Sequence, residues 1–223
     1  MQDSIRTGAA LAGTVSAGYA SSADRYRSVM EGSDMDAYGH LRILVSLILG
    51  LAITRVLSGL SRRLQEPDKT DRMHAQVVWS LVLLFGAVHF WWWEFALRLI
   101  SHWNFWIYIF VLSYASLFFL MSTLLYPDHI QTNADREDFF IRRRYAFFAL
   151  FAASFAFDLI DTLIKGRDYF TALGIWYGVR LAVGTVIALI AMKTENSRKL
   201  MWLGLIWLAV NIIWITVRYG ALD

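Results

Sequence analysis

Apolar and polar residues alternate in long blocks after residue 36, where six apolar stretches are separated by polar or charged connections. The stretches cover about residues 39–60, 76–98, 104–126, 145–164, 169–192 and 199–220. Each has about the 20 helical residues needed to cross a bilayer's ~30 Å hydrocarbon layer. The pattern predicts an all-α polytopic integral membrane protein, in which residues 37–223 form one bundle of six transmembrane helices.

The first apolar stretch carries a stripe of polar, charged or small residues spaced four apart. On a helix, residues at this spacing lie on one face. Glycine and hydroxyl residues at such positions let membrane helices approach closely and hydrogen-bond. We therefore expect a helix-packing seam of Ser46, Gly50, Thr54 and Ser58, flanked by Arg42 and Arg62.

The first 36 residues differ from the rest, since they are rich in Ala, Gly, Ser, Asp and Arg and lack a long apolar run. This composition is typical of a disordered N-terminal tail. A second interpretation is an over-extended gene start, because Met35 leads directly into the first apolar stretch.

Charge and composition limit the possible functions. The chain is 57% hydrophobic and has a net charge of only +3, and its basic residues cluster between apolar stretches, so no nucleic-acid partner is expected. Eleven Lys and Arg follow the first, third and fifth stretches, against four on the other side when the tail is left out. By the positive-inside rule, both termini are expected outside the cytoplasm. The absence of Cys excludes disulfides and thiolate chemistry.

Known catalytic and nucleotide-binding motifs are absent from the sequence. There is no Gly-rich phosphate loop, no dinucleotide fingerprint, no HExxH and no GxSxG. The sequence therefore predicts no cofactor, and an intramembrane enzyme has the least support.

Ionisable and polar residues inside the stretches are the best candidates for a site, because a charge at the bilayer centre costs ~3 kcal/mol or more unless it is paired or hydrated. Because a helix rises about 1.5 Å per residue, the position of each residue in its stretch gives its depth in the bilayer, and several of them lie at the same depth. The members at this depth are Asp158, Arg180, His89 and Asn211; nearer the outer boundary are Asp161, Glu94, Arg42, His40 and Arg218.

Residues that lie at similar depths also share faces of their helices. Asp158 and Asp161 share a face of the fourth stretch, and Arg180 shares a face of the fifth with Gly184. The simplest assembly turns the polar faces inward, pairs Asp158 with Arg180 and opens a polar pocket to the outer side.

This pocket has two interpretations. One is a binding site for an ion, a proton or a small polar ligand. The other is a static ion pair that fixes the register of the helices. A metal site built from His40, His89, Glu94, His102 or Asp158 would have suitable ligand types, but no metal-binding spacing supports it, so none is predicted.

Three segments resemble an uncharacterised family of small bacterial six-span inner-membrane proteins with no established activity. The first is 38–63, with Ser46, Gly50, Leu51, Thr54, Leu57 and Gly59; the others are His89-Phe90-Trp91-Trp92 and Leu125-Tyr126-Pro127-Asp128. The resemblance covers about residues 35–220. It implies six spans in a bacterial inner membrane and adds no mechanism.

Two functional hypotheses follow from the sequence. The first is a small transporter or channel-like protein with a polar intramembrane site. The second is a non-catalytic membrane sensor or assembly partner whose buried charges are structural. The expected surroundings are the lipid bilayer and either further copies of the chain or a membrane partner protein.

Overall fold

Six long helices dominate the computed structural model, which describes residues 38–63, 65, 71–100, 103–126 and 133–219. No strand occurs in these ranges. All six helices are long and apolar enough to cross a membrane, so the predicted all-α six-helix bundle is confirmed. The predicted tail, residues 1–36, and His102 lie outside the described residues.

The helices follow the predicted order, with some different bounds. They are α1 (Tyr38–Arg63), α2 (Asp71–Trp93), α3 (Phe105–Leu125), α4 (Asn133–Ile164), α5 (Arg167–Lys193) and α6 (Ser197–Tyr219). A 3₁₀ helix, Glu94–Leu99, continues directly from α2.

The start of α4 corrects one prediction, because 127–144 reads as a charged loop in the sequence. The helix instead begins at Asn133, well before the apolar stretch. Phe140 explains part of the difference, since its buried ring packs edge-on against Phe147, about two turns further along the helix. An apolar face therefore continues through the charged segment.

Five helices surround the centre of the molecule. α2 packs against α3 and α6, α4 packs against α3 and α5, and α5 packs against α6. Successive helices run in opposite directions. We call the end at which α4 meets α5 the Lys165 end, and the end at which α5 meets α6 the Thr194 end.

α1 packs on this group through a face other than the predicted seam. Its buried line is Leu41, Val45, Leu49, Ala52, Val56 and Gly59, whereas Ser46, Gly50, Thr54 and Ser58 are exposed. The inward orientation expected for this seam is therefore wrong. The inward face buries more apolar side-chain volume, and at Gly59 a Cβ atom would collide with the Tyr126 ring. Only Ser46 retains a bond to α2, accepting from Trp91 Nε1 at 3.3 Å.

The outer surface is rich in large apolar side chains. Ile175 is 78% exposed, and Trp106, Ile43 and Ile213 are similarly open. Contiguous exposed apolar surface of this kind is unfavourable in water, so these faces are suited to contact with lipid.

α5 is not a regular helix throughout. Gly174 adopts φ 68° and ψ −173°, which interrupts the helix before Tyr177 and Arg180. A side chain at this φ would be strained, and glycine avoids that cost. The predicted continuous span 169–192 is thus two helical segments joined at a kink.

Candidate intramembrane polar site

A cavity of about 60 Å³ lies at the centre of α2 to α6. Its apolar wall is mainly aromatic and includes Phe90, Phe118, Phe151, Phe155 and Trp207. Its polar wall consists of His89, Ser154, Asp158, Arg180 and Asn211. A space of this size holds a few water molecules or one small solute, since one water needs roughly 10–15 Å³ by this measure.

Asp158, Arg180 and Asn211 form a connected network on the polar wall. Arg180 Nη1 donates to Asp158 Oδ2 at 3.0 Å, and Arg180 Nε donates to Asn211 Oδ1 at 3.2 Å. Asn211 Nδ2 in turn donates to the Trp207 carbonyl at 2.7 Å. The side chains of Arg180 and Asp158 are only 10% and 8% exposed, so the network joins three helices inside the bundle.

Close packing around Gly184 holds the arginine in place. Gly184 lies one turn beyond Arg180 on α5, and a Cβ atom there would lie 2.7 Å from Trp207 Cη2 and collide with the Phe155 ring. The Trp207 ring lies under the Arg180 guanidinium, 5.8 Å from centroid to Cζ. Glycine thus lets α4, α5 and α6 meet beside the ion pair.

His89 faces this network from α2. It lines the same cavity, and its Nε2 atom is buried without a hydrogen-bond partner among the described residues. A buried imidazole nitrogen normally has a partner. A water or a small solute in the cavity would supply one.

Tyr177 contacts two residues that line the cavity, Asp158 and Trp93. Its hydroxyl donates to the Asp158 carbonyl at 3.1 Å and shares a 2.8 Å hydrogen bond with Thr162 Oγ1. The Tyr177 ring also stacks on Trp93, with centroids 6.3 Å apart. These contacts tie α5 to α4 and α2.

Asp161 and Glu94 belong to a second group, not to the Asp158–Arg180 network. Lys165 Nζ lies 2.5 Å from Asp161 Oδ2 and 3.5 Å from Glu94 Oε1. The side chains of Lys165 and Asp161 are fully buried. The sequence pattern assigns Lys165 to a loop, yet its spacing of four from Asp161 is that of a helical ion pair and could have revealed this contact.

Arg42 lies apart from both groups. Its side chain is exposed on α1, and its guanidinium lies 5.1 Å from the Phe95 ring centroid and 5.7 Å from that of Tyr38. It borders a cavity of about 10 Å³ that Glu94 also lines. His40 and Arg218 are exposed as well, so these three predicted residues do not contribute to the central cavity.

Polar contacts at the Thr194 end were not anticipated from the sequence. Arg55 on α1 donates through Nη2 to the Tyr126 carbonyl at 3.0 Å. Arg63 donates to Gln76 Oε1 at 2.6 Å, and Gln76 donates to the Leu125 carbonyl. Burial raises the pKa of the Tyr126 phenol, so its hydroxyl is neutral when it accepts from Ser80 at 2.9 Å. The bonds from Arg55 and Gln76 satisfy two carbonyls at the end of α3, and the other two join side chains of α1, α2 and Tyr126.

Within the described ranges, no group of three or more His, Asp or Glu side chains is arranged to hold a metal ion. The chain matches no protein family, no curated protein and no solved structure. The geometry of the cavity is therefore the basis for assigning a function.

Proposed function

We propose that the protein is a small transporter or channel-like protein that passes a proton or a small polar solute through the central cavity. The observation that carries this proposal is the buried, unpartnered Nε2 atom of His89, which faces the cavity opposite the Asp158–Arg180–Asn211 network. A solute in the cavity would contact both.

The network has unused hydrogen-bond donors that could bind such a ligand. A guanidinium has five N–H donors, and the structure uses two of those of Arg180 for Asp158 and Asn211. A pair that served only to fix helix register would need neither free donors nor an adjoining cavity. The volume of about 60 Å³ limits the ligand to a small one.

The interruption of α5 is consistent with transport. Transporters often bind substrate beside a broken transmembrane helix, where the backbone can adapt as the protein opens. Gly174 breaks α5 six residues before Arg180. A change in the angle between the two segments of α5 would move Tyr177, which stacks on the cavity-lining residue Trp93.

The orientation is part of the proposal. The bias of eleven Lys and Arg to four supports a bacterial inner-membrane protein with both termini outside the cytoplasm. The Lys165 end then faces outward, and the cavity would open to that side when the two segments of α5 move relative to each other.

Flux measurements on reconstituted protein test the proposal. Proteoliposomes would carry a pH-sensitive dye for proton entry, and light scattering would follow urea and glycerol. The test variant is Asp158→Asn with Arg180→Gln, which removes both buried charges. The matched control is Arg144→Gln with Glu195→Gln, which removes a surface ion pair at the Thr194 end.

We expect wild type and the control to pass at least one probe faster than empty liposomes, and the buried-pair variant to lose that flux while remaining folded. Equal flux through the wild type and the buried-pair variant would show that the pair is structural. Absence of flux for every probe would contradict the transport proposal.

A second candidate is a membrane assembly partner, favoured by the exposed seam of α1. Ser46, Gly50, Thr54 and Ser58 face away from the bundle, and nothing lies within 4 Å of a Cβ atom placed on Gly50. A neighbouring helix could pack there closely. Native mass spectrometry of wild type and Gly50→Ile in nanodiscs tests this, since a specific oligomer should dissociate in the variant.

A further inference from the structure

We propose that the buried cluster of Glu94, Asp161 and Lys165 binds one exchangeable proton, which resides on Glu94. This inference concerns a site other than the central cavity and does not depend on what the cavity carries. It follows from the charges of the cluster, its burial and an unpartnered oxygen atom of Glu94.

The cluster contains two carboxyl groups and one ammonium group. If all three were ionised, the cluster would carry one net negative charge. The side chain of Glu94 is 7% exposed, and those of Asp161 and Lys165 are fully buried. A net charge without solvent or counter-ion is strongly disfavoured in such an environment, and one added proton makes the cluster neutral.

An unpartnered oxygen atom marks where that proton can bind. Glu94 Oε2 is buried and has no hydrogen-bond partner among the described residues, whereas the Asp161 carboxylate has both Lys165 and the Trp93 side chain beside it. An ionised Glu94 would leave this oxygen charged and unsatisfied, which is costly in a buried site. A proton on one carboxyl converts an acceptor into a donor and removes its charge.

The distances favour Glu94 as the carrier. Lys165 Nζ lies 2.5 Å from Asp161 but 3.5 Å from Glu94. The ammonium therefore stabilises the Asp161 carboxylate more than the Glu94 carboxylate. Binding transfers one proton from hydronium to a Glu94 oxygen and releases one water molecule.

Other charged or titratable groups do not supply the missing positive charge. On α4 and α5, Asp158 and Arg180 pair with each other at 3.0 Å. Arg42 on α1 is exposed and lies over the Phe95 and Tyr38 rings, without an ion pair to Glu94. The other charged side chains at this end of the described structure are exposed to the surface: Arg98 on the 3₁₀ helix, Arg167 and Asp168 on α5, and Arg218 on α6. Aromatic rings supply no cation here: Trp93 on α2, Tyr114 on α3, Tyr169 and Tyr177 on α5, and Trp214 on α6.

A route for the proton exists on the α1 side. The cavity of about 10 Å³ between α1 and the 3₁₀ helix is lined by Glu94, Arg42, Tyr38 and Phe95. It has room for about one water molecule. Glu94 thus lies between the buried cluster and a small cavity bordered by exposed Arg42, where a water could deliver or remove a proton.

A proton is favoured over a metal cation by the available ligands. Within the described ranges, no group of three or more His, Asp or Glu is placed to hold a metal ion. The cluster also already contains an ammonium group in contact with both carboxyls, which repels a second cation. A proton needs only one oxygen.

Infrared difference spectroscopy of the purified protein in nanodiscs tests this directly, because a protonated carboxylic acid has a carbonyl band that a carboxylate lacks. At neutral pH we expect one such band in the wild type, with a shift in D₂O that shows exchange. Glu94→Gln should abolish it. Asp161→Asn should abolish it too, because Lys165 would then pair with an ionised Glu94.

Control variants show which residue gives rise to the infrared band. Glu195→Gln removes an exposed acid at the Thr194 end and should leave the band unchanged, as should Asp158→Asn combined with Arg180→Gln, which removes both charges of the neighbouring pair. Lys165→Met should strengthen the band, since both carboxyls would then need protons. If a variant fails to fold, the wild-type band and its shift in D₂O still decide whether a protonated acid is present.

Several outcomes would overturn the proposal: no band in the wild type, no shift in D₂O, a band that survives Glu94→Gln, or a band that disappears only when Asp158→Asn and Arg180→Gln are combined. Loss of the band on replacing choline with Na⁺ at constant pH would also overturn it, since a metal cation would then be the ligand. If flux is measured but the infrared band is absent, the transport proposal holds and the proton-binding proposal fails. If the band is present but no flux is measured, the proton-binding proposal holds and the transport proposal fails.

Discussion

At the scale of single residues, charges in the core of this protein are stable because they are grouped. Asp158 and Arg180 lie on consecutive antiparallel helices and pair at 3.0 Å. Their match could be predicted from the sequence, because helical rise converts position into depth. The contact of Lys165 with Asp161 and Glu94 was harder to predict, because Lys165 follows the apolar stretch and Glu94 reaches it from a distant part of the chain.

A double-mutant cycle should measure the coupling within the Asp158–Arg180 pair. Arg180→Gln or Asp158→Asn alone leaves one buried charge unpaired, and breaking a buried pair costs about 3–5 kcal/mol in soluble proteins. The double variant should recover much of that stability because no charge remains. Thermal unfolding in detergent measures each step.

The surface pair Arg144–Glu195 provides the control for this cycle. Glu195 is largely exposed, so Arg144→Gln with Glu195→Gln should change stability by at most about 1 kcal/mol. If Arg180→Gln is as stable as the wild type, the buried pair does not stabilise the bundle.

At the scale of helices, the sequence shows where small residues are but not which of them face a neighbour. Gly50 and Gly59 both lie on α1, yet only Gly59 is in contact with another helix, at Tyr126. The four-residue spacing of the seam fits packing inside the bundle and exposure on its surface equally well. Which face of α1 turns inward depends on the shape of its side chains, and α1 buries the face that carries Leu41, Val45 and Leu49.

Two alanine substitutions should separate the close contacts from the open positions. Gly184→Ala places a methyl group against Phe155 and Trp207, and overpacking of this kind typically costs about 1–3 kcal/mol. Gly50→Ala meets nothing within 4 Å and should be neutral or slightly stabilising. Comparable melting temperatures for the two variants would contradict the close packing of α5 against α4 and α6.

At the scale of the whole molecule, the number and approximate positions of the helices follow from physical limits on apolar length. The change from α-helix to 3₁₀ helix at Glu94 and the kink at Gly174 could not be predicted from apolar length, since each depends on how α2 and α5 pack against their neighbours. The first part of α4 was likewise missed, because its charged residues conceal the apolar face that contains Phe140.

The absence of native cysteine makes the proposed orientation easy to test. Asp168→Cys introduces a thiol at the exposed Lys165 end, and Glu195→Cys introduces one at the exposed Thr194 end. A membrane-impermeant maleimide added to intact cells should label the first variant only. It should label the second after the membrane is permeabilised. The reverse pattern would invert the orientation.

The most direct test of the account is a crystal structure from a lipid phase, at a resolution that shows ordered water. The central claim is that the cavity between His89 and the Asp158–Arg180–Asn211 network is a hydrated binding site. The account predicts density for water or a small solute within hydrogen-bond distance of His89 Nε2 and of the network. A dry cavity, or His89 bonded directly to a protein group, would contradict it.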